Sequence, residues 1–275
     1  DVLRYSNIEY QGDARFNAMG GSFGALGANM SSISVNPGGI GVYKSSDISF
    51  TPAFNYNFSE SKLDGNTIDD GKLNFHFSNI GLVVNFDGVG NWQSASFGMG
   101  YNRTNNFNTS ISAKGETNQS SLTQFTDELN ANGGTFDGDI EYNYPFTANL
   151  PYQTYLVNPI AGDSLQYDNV FVNSTDIEQF TTYETRGGTG EMFFAFGGNY
   201  ADKLFLGASF GIPTIRYVYD RNYTETVGES DTLSEFKSFT MRDYVKTSGA
   251  GFNFKLGMIY KATDWVGLGW AFLQP

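Results

Sequence analysis

Apolar residues fall on alternate positions in long runs of this chain, the period of a β-strand whose successive side chains point to opposite faces. From Ala250 to Tyr260 every even position is apolar (Ala250, Phe252, Phe254, Leu256, Met258, Tyr260), with Gly251, Asn253, Lys255 and Gly257 between them and Ile259 as the exception. After Lys261-Ala262-Thr263-Asp264 the alternation resumes as Val266, Leu268, Trp270 and Phe272, against Gly267, Gly269 and Ala271. The same unit recurs as Met192, Phe194, Phe196 and Tyr200 followed by Leu204, Leu206, Ala208, Phe210 and Ile212. It recurs again as Ile80, Leu82, Val84 and Phe86 followed by Ala95, Phe97, Met99 and Tyr101. A further run, Ile48, Phe50, Phe54, Tyr56 and Phe58, stands near the start. The pattern predicts antiparallel strands at 46–58, 74–86, 93–113, 190–200, 203–219, 238–260 and 265–273.

Each predicted strand has one greasy face and one small or polar face. A soluble sandwich would rarely put glycine on the face that forms its packed core, or Tyr260 and Trp265 at a turn. Both features suit a transmembrane barrel, which needs an apolar outer band, aromatic girdles and a lumen that is not greasy. Each run covers at least the roughly 9–11 residues that cross a bilayer at barrel tilt. The fold class expected is therefore all-β, a transmembrane antiparallel β-barrel. One irregularity stands out: Phe75 and Phe77 are apolar at odd positions, but Ile80, Leu82, Val84 and Phe86 at even ones. The phase flip predicts a bulge or strand kink at Ser78 and Asn79.

Residues 1–45 lack the period-two pattern and are rich in glycine and other small residues. They are expected to lie inside the barrel as an N-terminal hatch, with 46–275 forming the strands. Long polar loops are expected at about 59–73, 114–190 and 224–236, with a short helix from Thr123 to Leu129. Short connections follow Phe86, Tyr200 and Tyr260. Outer-membrane barrels keep short turns in the periplasm and long loops outside, so the N-terminus is expected on the periplasmic side. Seven strands cannot close an ordinary bacterial barrel, which has an even number. The expectation is a truncated chain, ahead of a barrel closed by association.

Composition narrows the class further. The 275 residues include 33 Gly, 17 Tyr and 25 Phe, and only 16% are charged. Mean hydropathy is −0.33, and no stretch approaches the roughly 18 apolar residues of a membrane helix. A barrel escapes hydropathy detection because only alternate residues face lipid. The start, Asp1-Val2-Leu3-Arg4, lacks the features of a signal peptide and is read as a mature terminus. With no cysteine there is no disulfide framework. A net charge of −13 argues against nucleic acid as partner. It reads either as solvated loops or as acidic loops bridged by divalent cations to lipopolysaccharide.

Catalytic chemistry is sparse. His76 is the sole histidine, and a lumen or boundary position suits it better than a triad or a multi-histidine metal site. Gly187-Gly188-Thr189-Gly190 and Gly20-Gly21-Ser22-Phe23-Gly24 lack the lysine and strand–loop–helix setting of a phosphate loop. Asp69-Asp70 and Asp137-Gly138-Asp139 read either as calcium ligands or as loop solvation. No enzymatic activity, cofactor or metal is expected.

The most specific residues lie in the presumptive hatch. Gly12-Asp13-Ala14-Arg15-Phe16-Asn17-Ala18-Met19-Gly20-Gly21 leads through small residues to Ser34-Val35-Asn36-Pro37-Gly38-Gly39. This resembles the N-terminal hatch of the FadL/TodX outer-membrane transport family, in which a small-residue stretch runs to Asn-Pro-Ala before the first strand. Here Gly38 stands in place of the alanine, so Asn36, Pro37 and Gly38 form the hatch motif. The resemblance covers the hatch and first strand; beyond them it is architectural. It implies an outer-membrane location in a Gram-negative bacterium and a fourteen-stranded barrel of which this chain is half. It also implies passive uptake of hydrophobic small molecules, such as long-chain fatty acids or aromatic hydrocarbons, among membrane lipid and lipopolysaccharide. A strand kink in that family opens the wall sideways. Phe16, Met19, Phe23, Leu26 and Met30 are apolar, spaced at three or four as on one helical face, and are the ligand-binding residues expected; the other reading is that they only pack the hatch against the wall. The alternative is a non-transporting barrel of a protein secretion system, whose partner would be a protein cargo.

Overall fold

The alternating runs build one nine-stranded antiparallel sheet, curled into half a barrel, in the computed structural model. Residues 2–9, 11–171, 174, 176–228 and 236–274 are described. The strands are β1 (Asp47–Leu63), β2 (Asn66–Asp87), β3 (Trp92–Asn106), β4 (Thr109–Thr117), β7 (Ile177–Tyr200), β8 (Leu204–Val227), β9 (Ser238–Ala250), β10 (Asn253–Thr263) and β11 (Val266–Gln274). A separate hairpin comprises β5 (Val157–Ile160) and β6 (Asp163–Asn169). The large sheet runs β1-β2-β3-β7-β8-β10-β11, with β4 also on β7 and β9 also on β8. Because β3/β4 and β9/β10 are each one pass broken briefly, at 107–108 and 251–252, nine strands amount to seven passes.

Several expected boundaries move. The polar stretch 59–73 is not a loop: β1 and β2 pair continuously to a two-residue turn at Asp64 and Gly65, with φ of 48° and 83°. Both residues are left-handed, as a tight hairpin turn requires. β7 and β8 are 24 residues each, so strand replaces the start of the loop expected at 224–236; residues 229–235 lie outside the described residues, as does Pro275. The long loop spans 118–176 and carries the helices Leu122–Asn130, Asp137–Asn143 and Asn149–Gln153 besides β5 and β6. Leu129, Ile140, Ala148, Val157 and Tyr167 bury one another there, giving the loop its own small core.

The register shifts between Thr51 and Pro52, leaving Ser78 without a partner on β1. An extra residue in one strand reverses the faces beyond it, which explains why Phe75 and Phe77 share a face with Phe50 and Phe54. Ring pairs Phe50–Phe77 and Phe54–Phe75 stand 5.2 and 5.1 Å apart. Pairing of β2 with β3 ends at Asn79–Asn102. Above that point the β1–β2 hairpin holds the rest of the sheet by side chains instead. The Ser110 and Ser112 hydroxyls donate to Asp70, each at 2.8 Å, and Lys72 pairs with Glu184.

The two faces differ as the alternation requires. Phe50, Phe54, Phe196, Phe210, Phe252, Leu256 and Trp270 are exposed on one, the bare face. Trp92 packs edge-on against Tyr200 at its short-turn end, 5.4 Å between rings. The other face is covered by the N-terminal segment, whose helix α2 (Ala14–Ala18) and 3-10 turns Ser31–Ser34 and Pro37–Val42 lead into β1. Pro37–Val42 packs on β3, β7, β8, β10 and β11. Ile33, Ile40, Met30, Val83 and Phe193 form the core between segment and sheet.

Glycine makes this close approach feasible. Gly197, Gly207 and Gly257 are register partners on β7, β8 and β10. A Cβ on Gly207 would lie 2.0 Å from the Pro37 carbonyl oxygen, and one on Gly257 2.4 Å from the Gly38 nitrogen. Gly207→Val or Gly257→Val should therefore lift the segment off the sheet. Overpacking costs about 1–3 kcal/mol, so hydrogen exchange at the amides of residues 32–42 should speed up by roughly tenfold or more. Gly267→Val, where the nearest atom is 3.4 Å away, serves as control. Unchanged exchange in both row variants would refute the packing role.

Candidate functional site

Asn36 ties the segment to the sheet. Its Oδ1 accepts from Gly38 N at 2.9 Å, and its Nδ2 donates to the carbonyls of Gly24 (2.6 Å) and Met258 (3.2 Å). Asn36, Pro37 and Gly38 are buried. Pro37 opens the 3-10 turn, where its missing N–H costs nothing. One amide side chain thus closes its own turn and reads a strand carbonyl far along the chain.

The five apolar residues expected to bind ligand do not share a helical face, because α2 ends at Ala18 and turns follow. Phe16 and Phe23 come together as a buried stacked pair, 5.4 Å between rings. Met30 is buried against Gly81 in the core under the segment. Met19 and Leu26 are exposed. At the predicted kink, the Ser78 hydroxyl stands 3.3 Å from His76 Nε2, and Asn79 donates to Asn102. Asn102 in turn donates to Ser34 Oγ at 2.8 Å.

A cavity of about 430 Å³ opens between the start of the segment and the covered face, and none of those five residues lines it. Its apolar wall is Tyr5, Ile8, Pro213, Ile215, Ala250 and Leu273. Glu191, Asn253 and Lys255 supply its polar end. Lys255 Nζ donates to both carboxylate oxygens of Glu191, at 2.7 and 2.6 Å, with each side chain 6% exposed. Sequence reasoning passed over these residues. The signal was a charge at a non-greasy position within an alternating strand, once on each of two strands distant in sequence.

At the long-loop end a second polar knot fastens loop to wall. Glu225 is fully buried and accepts from Ser121 N (2.8 Å), Gln179 Nε2 (3.0 Å), the Tyr223 hydroxyl (2.6 Å) and Ser120 Oγ. Burial, with the Glu225 carboxylate beside it, pushes the Tyr223 phenol above its ordinary value. Nearby, the Arg242 guanidinium hydrogen-bonds Asp220 and holds its carboxyl below the usual range.

Together these features define a half-barrel sheet with an apolar bare face, a strapped covered face and a cavity beneath the strap. No family model, curated protein or solved structure matches the chain. Among the described residues no group of three metal-ligating side chains occurs, and no helix is long and apolar enough to cross a membrane.

Glu225→Leu should loosen the loop unit, because it strands several donors at about 1–3 kcal/mol per unsatisfied group. Hydrogen exchange should rise across residues 120–130 while the 32–42 amides stay protected. Unaltered protection at 120–130 would show that the apolar core of the loop suffices.

Proposed function

We propose that this chain forms part of an outer-membrane barrel that passes hydrophobic small molecules, with the N-terminal segment as hatch and the cavity beneath it as the ligand's seat. The observation that carries the reading is the pairing of an exposed apolar face with a largely apolar cavity on the reverse side of the same sheet. In water such a bare face would be a large interaction patch; in a bilayer it is the wall's ordinary surface. The hatch resemblance at Asn36, Pro37 and Gly38 supports the same reading, as does the aromatic cluster at the short-turn end.

Function follows from solubility. A hydrocarbon crosses a polar outer leaflet poorly, so a route must give it apolar surface at every stage. Burying a chain contributes about 0.8 kcal/mol per methylene, part of which is lost in immobilising it. A sideways exit at Ser78 and Asn79, where the β2–β3 ladder stops, would release cargo into lipid. Phe16 and Phe23, buried as a stacked pair, then serve to brace the hatch.

Two experiments test this. Spin labels at Phe254 and Leu256 should report lipid, and labels at Lys255 and Gly257 should not. Uniform accessibility at all four would contradict a membrane wall. Cells making the full protein should take up a labelled hydrophobic compound faster than cells without it. Ile215→Asp with Ala250→Asp should cut that uptake by about tenfold or more, because a charge in the cavity wall must shed its water when an apolar ligand seats against it, while the protein still reaches the membrane. Undiminished uptake in that variant would remove the cavity from the route.

A further inference from the structure

The polar end of the cavity is already electrically complete. Among the described residues that line it, Glu191 and Lys255 carry the only charges. The lysine spends two of its three donors on the two Glu191 oxygens, at 2.7 and 2.6 Å. The pair reaches from β7 to β10 across β8, and it crosses at Gly211. A Cβ there would lie 2.3 Å from both Glu191 Oε1 and Asn253 Oδ1. Any residue but glycine at 211 would make the Glu191 carboxylate and the Asn253 amide shift.

An incoming carboxylate has two options at this end, both costly. It can displace Glu191 from Lys255, which leaves a buried carboxylate without a partner. Alternatively, it can sit beside the intact pair, next to a like charge and without its water. Removing one partner from a buried pair is strongly unfavourable because of the charge left behind. A neutral head meets neither penalty. The Asn253 amide stands at the same end, 8% exposed, with its Oδ1 buried and unpartnered. A hydroxyl or amide can exchange hydrogen bonds with that group while the ion pair stays whole.

We propose that the cavity selects uncharged amphiphiles, an apolar body with a neutral hydrogen-bonding head, over carboxylates of the same chain length. The inference rests on the transport reading, which makes this cavity the ligand's seat, and it deepens that reading by fixing the head-group chemistry.

The test uses the full protein and three probes with a sixteen-carbon chain: hexadecanol, hexadecanamide and hexadecanoate, the last at a pH where it is ionised. Each competes with radiolabelled hexadecanol for the protein held in amphipol. The alcohol and the amide should bind at least about tenfold more tightly than the carboxylate. Glu191→Gln, which strips Lys255 of its counter-charge while keeping the side chain's shape, should reverse the order and favour the carboxylate. The amide comparison needs no substitution, so it decides the matter even where the variant fails to fold. Equal binding of all three, or tighter carboxylate binding by the unaltered protein, overturns the head-group inference and leaves the transport reading standing. Failure of every probe to bind overturns both.

Discussion

Backbone against backbone, at the row Gly197, Gly207 and Gly257, is the contact on which the rest of the molecule depends. These three residues pair in register across β7, β8 and β10; Pro37 and Gly38 sit directly upon Gly207 and Gly257, and Ile40 and Gly41 upon Gly197. A coil pressed onto a sheet normally meets side chains about half a sheet spacing high. Here it meets none, so the Asn36 side-chain amide reaches down to donate to the Met258 carbonyl at 3.2 Å. The requirement is reciprocal. Gly41 lies against the Gly198 carbonyl, where a Cβ would come within 2.5 Å. Glycine is entropically costly in a strand, and in this row the cost admits another piece of chain.

That contact also sets where the cavity lies. Beyond the glycine row toward the long-loop end, the covered face changes character to Glu191, Pro213, Ile215, Asn253 and Lys255. The segment cannot press down there, because side chains stand in its way. Tyr5 and Ile8 bridge over the gap instead, and the space beneath them remains. Glycine closes the short-turn half of the face; larger residues hold the other half open.

Much of this architecture was legible in the sequence, because a period of two is a direct statement about faces. The runs of alternating apolar residues fall on strands, most of those residues on the bare face, and the phase flip in β2 fell where the register shifts beside Ser78. Two things were not legible. Polar strands without alternation, such as 59–73, look like loops, and only their continuous pairing from Ser59–Asp70 to Leu63–Asn66 makes them sheet. The cavity was hidden for a different reason. Its polar end joins Glu191 and Lys255, 64 residues apart, and nothing local couples them. Spacing was also misleading in the N-terminal segment, where intervals of three and four suggested a helix. Gly20 and Gly21, with φ of 59° and 74°, end any helix there.

Stability does not explain the Glu191–Lys255 pair. Two well-packed apolar side chains of similar volume would be as stable at that position or more so, since desolvating both charges consumes most of their attraction. What the pair does is geometric and electrostatic. It spans β7 and β10 over a strand that yields room at Gly211, fixing the width of the sheet at the cavity wall. It also presents a surface that is polar yet uncharged in sum, beside an amide whose acceptor is free. An apolar pair would leave the end of the cavity indifferent to any head group, and a lone lysine would draw anions into it. The neutralised pair does neither, so the chemistry at the end of the cavity is set by the amide of Asn253.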